Sequence, residues 1–190
     1  MSRASGRWLF RSRNFLAGLP LAFALFWNHG RWSNGVMIWT AAVGLCVAGM
    51  AVRAWARCHH NRKLRAQKCL ARTGPYAYIR NPLYVGSILI IVGATVASRL
   101  VWLVPVSLVW SFGVYALVVA YEERRLAAKY GAQYERFRSE VPAWVPVFRS
   151  RPNGGSPSPF LAAMAVQLKK LLWLSPFVLK ELHLLKFWAR

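Results

Sequence analysis

The stretch TGPYAYIRNPLYVG, residues 73–86, marks the point at which a basic segment gives way to an apolar one. A Gly-Pro pair predicts a turn near its start. Asn81 and Pro82 are typical of the N-cap and the first position of an α-helix, so we expect an apolar helix to begin here. The free backbone N–H groups of a helix start attract anions, and the adjacent Arg80 adds donors suited to carboxylate or phosphate.

The composition favours a membrane protein. Hydrophobic residues make up 56% of the 190 residues, yet the formal net charge is +21. A nucleic-acid-binding protein of that charge carries its basic residues among polar ones, whereas here they separate long apolar runs. Nucleic acid is therefore not an expected partner. The five acidic residues are all Glu, so each of them is a candidate for a specific role.

Four apolar runs without charged side chains predict an all-α, polytopic membrane bundle of about four transmembrane helices. They lie near residues 14–27, 36–52, 83–98 and 100–121. Tryptophans near the ends of the runs favour the membrane interface. Small residues spaced four apart predict close helix contacts: Gly44 with Ala48, and Gly93 with Ala97.

Lys and Arg residues alternate between the connections of these helices. Four precede the first run, eight lie in 53–82 and seven in 122–158, against one in 28–35 and one at Arg99. By the positive-inside rule both termini and the large connections lie in the cytoplasm. We expect an integral protein of the bacterial inner (plasma) membrane, with the polybasic segment 53–68 against anionic lipid headgroups.

The chain divides into three predicted parts. Residues 1–150 form the membrane domain, 151–159 a Pro/Gly/Ser-rich linker, and 160–190 a C-terminal tail. Lysines and Pro176 interrupt the apolar stretches of the tail. Neither half spans a bilayer easily, so we expect a pair of amphipathic helices in the interface rather than a fifth span.

A second polar cluster follows the fourth predicted helix, in EERRLAAKYGAQYERF, residues 122–137. In an antiparallel hairpin this helix ends at the depth where the third one begins, so Glu122 and Glu123 are expected near Arg80. Carboxylates at the C-terminal end of a helix oppose its dipole and need compensation. Pairing of Glu122 with Arg125, three residues on, is the structural alternative to ligand binding. Spacing alone leaves both open.

Together the two stretches resemble the paired signature of the integral-membrane isoprenylcysteine carboxyl methyltransferase and phospholipid methyltransferase superfamily. The resemblance covers residues 70–146, and two motifs in the right order astride a hydrophobic hairpin are more specific than either alone. It implies an enzyme that takes the methyl group of S-adenosylmethionine at the cytoplasmic membrane face. The acceptor is implied to be a membrane lipid or a lipophilic small molecule.

The resemblance also implies the site residues. The cofactor-binding positions are Gly74, Tyr76, Arg80, Asn81, Pro82, Gly86, Glu122, Glu123 and Tyr134, and Gly131 matches the second motif. Arg80, Asn81 and Tyr84 are the catalytic candidates, with Arg80 on the cofactor carboxylate or an anionic headgroup and Tyr84 shaping the methyl path. The family commonly has His at the position of Asn81. Asn keeps hydrogen bonding but does not accept a proton near neutral pH.

Two other function classes remain open on the sequence. A non-catalytic membrane adaptor accounts for the helices and the charge, and an NADPH-dependent membrane sterol-type reductase has a similar helical hairpin. No metal site is expected at Cys58, His59, His60 and Cys69, because consecutive side chains on a helix point about 100° apart. The sequence does not choose among amine, carboxylate and thiol acceptors, and it leaves the oligomeric state open.

Overall fold

The computed structural model describes residues 3–27, 35–59 and 70–147, together with the tail positions 163, 164, 166, 167, 175, 178 and 179. The core of the polybasic segment, residues 60–69, therefore lies outside the described residues, and so do His60 and Cys69. The same holds for the linker 151–159 and most of the tail. The predicted roles of these parts stay predictions.

All regular structure in the described residues is helical, which confirms the all-α class. Helices are α1 (Arg3–Ala17), α2 (Leu19–Phe26), α3 (Gly35–His59), α4 (Pro82–Ala97), α5 (Leu103–Tyr130) and α6 (Ala132–Glu140), with a 3₁₀ turn at Gly74–Ala77. By length and composition α3 and α5 can cross a membrane, and α4 is apolar but shorter. The number of four spans and the orientation of the termini stay predictions.

The predicted helix boundaries hold for α4 and are wrong elsewhere. The run 14–27 contains two helices separated at Gly18, because Pro20 in the first turn of α2 has no N–H to continue the ladder of α1. Helices α3 and α5 continue past residues 52 and 121. Ala, Arg, Glu and Leu are strong helix formers, so charge ends the apolar run without ending the helix. The polar residues beyond each run therefore stand on rigid helix.

Helices α3 and α4 pack with their backbones in close contact. A Cβ added at Gly49 of α3 would lie 2.6 Å from the carbonyl oxygen of Gly86 on α4. Gly93 approaches α3 equally closely, since its added Cβ would lie 2.8 Å from the Ala42 carbonyl oxygen and from Cys46 Sγ. Small side chains at these positions let the two helices approach each other closely.

The small residues of the contact are those predicted on α4 but not those predicted on α3. Gly93 and Ala97 are buried, as expected. Gly44 and Ala48 are exposed, and a Cβ added at Gly44 would meet no atom of another described element within 4 Å. The α3 stripe consists instead of Ala42, Cys46 and Gly49. Two stripes of small residues run along α3, and spacing alone does not decide which one meets the partner.

Helix α5 forms the other side of the bundle. Helix α1 lies along it, with Gly6 against the ring of Tyr121. Near the other end of α1, the Trp110 indole Nε1 donates a hydrogen bond to the Leu16 carbonyl at 2.8 Å. Helix α5 also packs on α4 through a buried apolar core. The start of α4 and the later half of α5 are thereby held side by side.

Aromatic side chains gather at two ends of the long helices. Phe23 stacks on Trp27, with ring centroids 5.2 Å apart, and both rings lie edge-on to Trp102 at the start of α5. Near the end of α3, the ring centroids of Trp55 and Tyr78 are 6.2 Å apart. The three tryptophans are exposed. These three tryptophans lie at or near helix ends, as predicted, and their placement in a membrane interface stays a prediction.

Gly49→Ala is expected to lower the free energy of unfolding by about 1–3 kcal/mol, because the added methyl overlaps the Gly86 carbonyl. Gly44→Ala is the matched control, since it brings the same gain in helix propensity in the same helix and meets open space. Unfolding of the purified protein in detergent, followed by circular dichroism, measures both. Equal stability of the two variants would contradict the packing described.

Candidate functional site

The start of α4 and the later part of α5 meet through an ion pair. Arg80 Nη2 lies 3.1 Å from Glu123 Oε1, and the two side chains are only 11% and 16% exposed. Arg80 Nη1 also donates to the carbonyl oxygen of Arg138 on α6 at 2.9 Å. Arg138 in turn brings its Nε to 4.0 Å from Glu123 Oε2. The predicted convergence of the two stretches is confirmed.

The neighbouring carboxylate, Glu122, binds a different group. The Tyr84 hydroxyl donates to Glu122 Oε2 at 2.8 Å. The Tyr84 ring is buried beside that of Tyr115 on α5, with centroids 5.0 Å apart. Arg13 of α1 lies 5.9 Å from the Tyr84 ring centroid. Glu122 thus faces the apolar helices and a tyrosine, whereas Glu123 faces arginines.

The surface alternative for Glu122 is not observed. Within the described residues, no ion pair joins Glu122 to Arg125. The dipole argument also changes, because α5 continues to Tyr130 and the two carboxylates lie before its last turn. Since consecutive residues of a helix point about 100° apart, adjacent carboxylates reach two different environments.

Two glycines explain the turns in the two motifs. Gly74 has φ 61° and lies against the ring of His59, and Gly131 has φ 52° between α5 and α6. Both values lie in the left-handed region, which glycine adopts at little cost and other residues avoid. At Gly131 the chain folds back, so that α6 brings Arg138 to Glu123.

Tyr134 of α6 packs beneath the ion pair. Its side chain is 2% exposed and belongs to a small apolar cluster with Phe137 and Val141. Burial, with a further contribution from Glu123, raises the pKa of Tyr134 to about 12. The phenol therefore keeps its proton near neutral pH and is available as a donor. Tyr76, the other predicted aromatic position, is buried in the 3₁₀ turn.

Residues 141–147, which we call the strap, run across the first motif. The Arg80 N–H donates to the Pro142 carbonyl at 2.9 Å, and the Val147 N–H donates to the Tyr78 carbonyl at 3.2 Å. The ring of Trp144 in the strap lies 4.8 Å, centroid to centroid, from Phe112 on α5. The strap thereby holds the backbone around Arg80 at two points.

Asn81 occupies the predicted N-cap position, but the predicted side-chain cap is wrong. Its side chain makes no capping hydrogen bond to α4, and its Nδ2 donates to the Ala143 carbonyl of the strap at 3.2 Å. The strap offers an acceptor that the helix start, which has only donors, does not. Pro82 begins α4 as predicted. The Asn81 carbonyl accepts from the Tyr84 and Val85 N–H groups.

The contacts described above join most of the predicted site residues, but they do not include Gly74, Tyr76 or Gly86. The residues joined by the contacts above are Arg80, Asn81, Pro82, Tyr84, Glu122, Glu123 and Tyr134. Gly86 lies in the contact between α3 and α4, where an added Cβ would meet the Gly49 carbonyl oxygen and Arg53 Cγ, both at 2.6 Å. Its role in cofactor binding stays a prediction.

Sequence reasoning missed several residues of this region. They are Arg13, Arg53, Tyr115 and Arg138, together with the strap. For Arg53 a signal existed, since it continues the helical spacing of the small-residue stripe on α3. The others depend on how α1, α6 and the strap fold back, which no local pattern reports.

Two buried polar atoms of the ion pair are incompletely satisfied. Arg80 Nε makes no hydrogen bond within the described part of the chain, and Glu123 Oε1 contacts Arg80 without hydrogen-bond geometry. Native proteins rarely leave buried polar atoms without partners. A donor that needs an acceptor and an acceptor that needs a donor lie side by side here. This pattern is typical of a site for a polar ligand.

The family model for phospholipid methyltransferases matches residues 37–133, just over half of the chain. The chain belongs to this family. The resemblance to the isoprenylcysteine and phospholipid methyltransferase superfamily is confirmed. No curated protein and no solved structure shows a significant match.

The match to the phospholipid methyltransferase family covers α3, α4 and α5 and reaches the start of α6. The family signal thus extends further toward the N-terminus than the two motifs, which begin after α3. Membership of this methyltransferase family and two helices long enough to cross a membrane together indicate an integral membrane protein. They also indicate methyl transfer to a lipid.

Tyr84→Phe is expected to lower the free energy of unfolding by about 1–3 kcal/mol, because Glu122 loses its donor in a buried site. Tyr130→Phe is the control, since the half-buried Tyr130 in the last turn of α5 makes no described hydroxyl hydrogen bond. Detergent unfolding measures the two variants in parallel. If Tyr84→Phe lowered the free energy of unfolding no more than the control does, the Tyr84 hydroxyl would not hold Glu122.

Proposed function

We propose that this protein transfers a methyl group from S-adenosylmethionine to a phospholipid acceptor at the cytoplasmic face of the membrane. The junction of α4 and α5 carries the proposal. There the Arg80–Glu123 pair and the Tyr84–Glu122 hydrogen bond join the two motifs. Membership of the phospholipid methyltransferase family supports methyl transfer and a lipid acceptor.

The polar half of the junction fits the cofactor. S-adenosylmethionine carries a carboxylate, an ammonium group, ribose hydroxyls and a sulfonium. Arg80 would bind the carboxylate, because its buried Nε is a donor without a described partner. Glu123 would accept from the ribose hydroxyls or the ammonium group, for which its Oε1 lacks a hydrogen-bonding donor. Tyr134 would pack beside this polar group as a neutral donor.

The apolar half of the junction fits the acceptor. When bound, the cofactor supplies a methyl group on a positively charged sulfur. Tyr84 holds Glu122 toward the apolar helices, from where a lipid headgroup would approach. Arg13, the nearby cation, stacks 3.8 Å from the Phe10 ring centroid and donates to the Phe10 carbonyl. A carboxylate held by a neutral tyrosine attracts a cationic amine, which favours an amine acceptor over a carboxylate or a thiol.

Positioning then accounts for much of the rate. A protonated amine has no lone pair, so the acceptor nitrogen would attack only after it has lost a proton. Its lone pair would then form the bond to the methyl carbon while the bond from that carbon to sulfur breaks, and sulfur would keep the electron pair. Tyr84 and Glu122 fix the direction of approach, and the buried rings of Tyr84 and Tyr115 keep water away from it. Glu122 is also placed to take the proton that the amine loses.

We further propose four spans with both termini in the cytoplasm of a bacterial inner membrane. The first span would combine α2 with the end of α1, and α3, α4 and α5 would supply the others. The aromatic groups at two ends of the long helices and the basic connections support this arrangement. It places Arg80 and Glu123 at the cytoplasmic surface, where a water-soluble cofactor has access.

Titration of the purified protein in detergent distinguishes the three functions. S-adenosylmethionine is expected to bind saturably, and NADPH is not. Binding of NADPH alone would favour the reductase, and binding of neither ligand would favour an adaptor.

Glu123→Ala is expected to weaken binding of S-adenosylmethionine by tenfold or more, on the order of 1.5–3 kcal/mol for a lost hydrogen bond to a charged group. Glu135→Ala on α6 removes the same charge from an exposed side chain and is expected to leave the affinity unchanged. Isothermal titration calorimetry compares the two. Equal affinity of Glu123→Ala and the parent protein, with the fold retained, would contradict this placement of the cofactor.

A further inference from the structure

A buried arginine crosses the contact between α3 and α4. Arg53 is 8% exposed, and its side chain passes Gly86, where an added Cβ would lie 2.6 Å from Arg53 Cγ. Its Nη1 donates to the Leu83 carbonyl at 3.0 Å and to the Ser87 hydroxyl. The guanidinium is therefore fixed at the first turns of α4. Only a glycine at position 86 leaves room for it.

The partners of Arg53 are neutral. Besides Leu83 and Ser87, its Nε donates to Gln167 Oε1 at 3.2 Å. In the described part of the chain no carboxylate pairs with it, because the four described glutamates contact other groups: Glu122, Glu123, Glu135 and Glu140. A buried cation without an opposite charge costs several kcal/mol. The described hydrogen bonds of Arg53 also use only Nε and Nη1, so the two N–H donors of Nη2 have no described partner.

Gln167, beside Arg53, is a second buried polar side chain with a group that lacks a described partner. This tail residue is 0% exposed, and its Nε2 has no hydrogen-bond partner among the described residues. Its carboxamide oxygen is engaged by Arg53, so only donors remain. An uncompensated cation and an unsatisfied buried amide thus lie side by side. The guanidinium requires a negative charge, and the amide requires a hydrogen-bond acceptor. An anion with several oxygens satisfies both at once.

The Arg53 group connects to the junction of α4 and α5. Ser87, which accepts from Arg53, lies near the Tyr115 hydroxyl. The Tyr115 ring packs on Tyr84, which donates to Glu122. A cation and a carboxylate therefore stand at the two ends of one polar cluster among apolar helices. A phospholipid headgroup with an amine presents the complementary pair, a phosphodiester and an ammonium group separated by a short linker.

We propose that Arg53 and Gln167 bind the phosphodiester of the phospholipid acceptor and so direct its amine toward Glu122. The identity of the acceptor rests on the proposed function. A planar guanidinium with free donors matches phosphate oxygens, and the carboxamide N–H groups add to it. A lipid phosphodiester is favoured over a soluble phosphate, because Arg53 lies on the buried face of a helix long enough to span the membrane.

The test uses the full-length protein in neutral detergent and two probes below their critical micelle concentrations. Dodecylphosphoethanolamine carries the phosphodiester, and dodecylamine keeps the chain and the amine without it. Arg53→Gln is expected to weaken binding of the first probe by about tenfold to a hundredfold, the size expected for lost hydrogen bonds to a charged group. Binding of dodecylamine and of S-adenosylmethionine is expected to stay unchanged.

Matched variants distinguish binding at this site from general electrostatic attraction between the probe and the basic protein. Arg57→Gln removes the same charge from an exposed side chain one turn further along α3 and is expected to change nothing. Gln167→Leu is expected to weaken binding of dodecylphosphoethanolamine a few-fold. Loss of S-adenosylmethionine binding would show that Arg53→Gln has lost its fold. Arg53→Lys is then used in its place, because lysine keeps the charge but lacks the planar pair of donors that binds two phosphate oxygens.

Several results would overturn the proposal. The first is an unchanged affinity of Arg53→Gln for dodecylphosphoethanolamine. Where Arg53→Lys has to be used instead, the corresponding result is an unchanged affinity of both Arg53→Lys and Gln167→Leu. Displacement of the probe by equimolar inorganic phosphate would assign the site to soluble phosphate. If Glu181→Gln weakened binding as Arg53→Gln does, Arg53 would belong to an ion pair within the chain. Failure of S-adenosylmethionine to bind the parent protein would contradict only the proposed function.

Discussion

The buried ion pair between Arg80 and Glu123 joins the two halves of the site. It links the segment before α4 to α5 at a point where both side chains are largely shielded from water. Loss of one partner from a buried pair leaves an uncompensated charge, which is strongly destabilising. Arg138 and the strap surround this pair, and Tyr134 packs beneath it. The fold of α6 and the strap thus serves to complete the environment of one arginine.

The adjacent glutamates divide the junction into a polar and an apolar side. Glu123 lies among arginines, where a charged nucleotide cofactor would find both donors and acceptors. Glu122 points to Tyr84 among the apolar helices, where a lipid headgroup would approach. Neighbouring residues of a helix point about 100° apart, and this rotation alone is enough to direct the two carboxylates to different sides. A reaction between a water-soluble donor and a membrane-bound acceptor needs such a boundary.

The sequence predicts those features that depend on short-range chemistry. Asn81 and Pro82 mark the start of α4, Gly74 marks a turn, and hairpin geometry brings Arg80 to Glu123. It does not predict contacts made by segments that fold back from a distance, such as the strap on Asn81 or α1 on Tyr84.

The sequence places Arg53 in the connection 53–82, because the preceding apolar run ends at this first charge. The helix continues beyond that charge, and its rigid backbone carries Arg53 into the contact with α4. Gly86 illustrates the same limit. Its motif position implies a ligand, whereas its surroundings show a close helix contact that also admits the Arg53 side chain.

Methyl transfer itself is the most direct test of this account. Membranes containing the protein are incubated with S-adenosylmethionine labelled in its methyl group, and the lipids are extracted and separated. Label is expected to enter a phospholipid headgroup, and membranes without the protein are expected to stay unlabelled. Label confined to unreacted cofactor, or found only in protein or in lipids without phosphate, would contradict it.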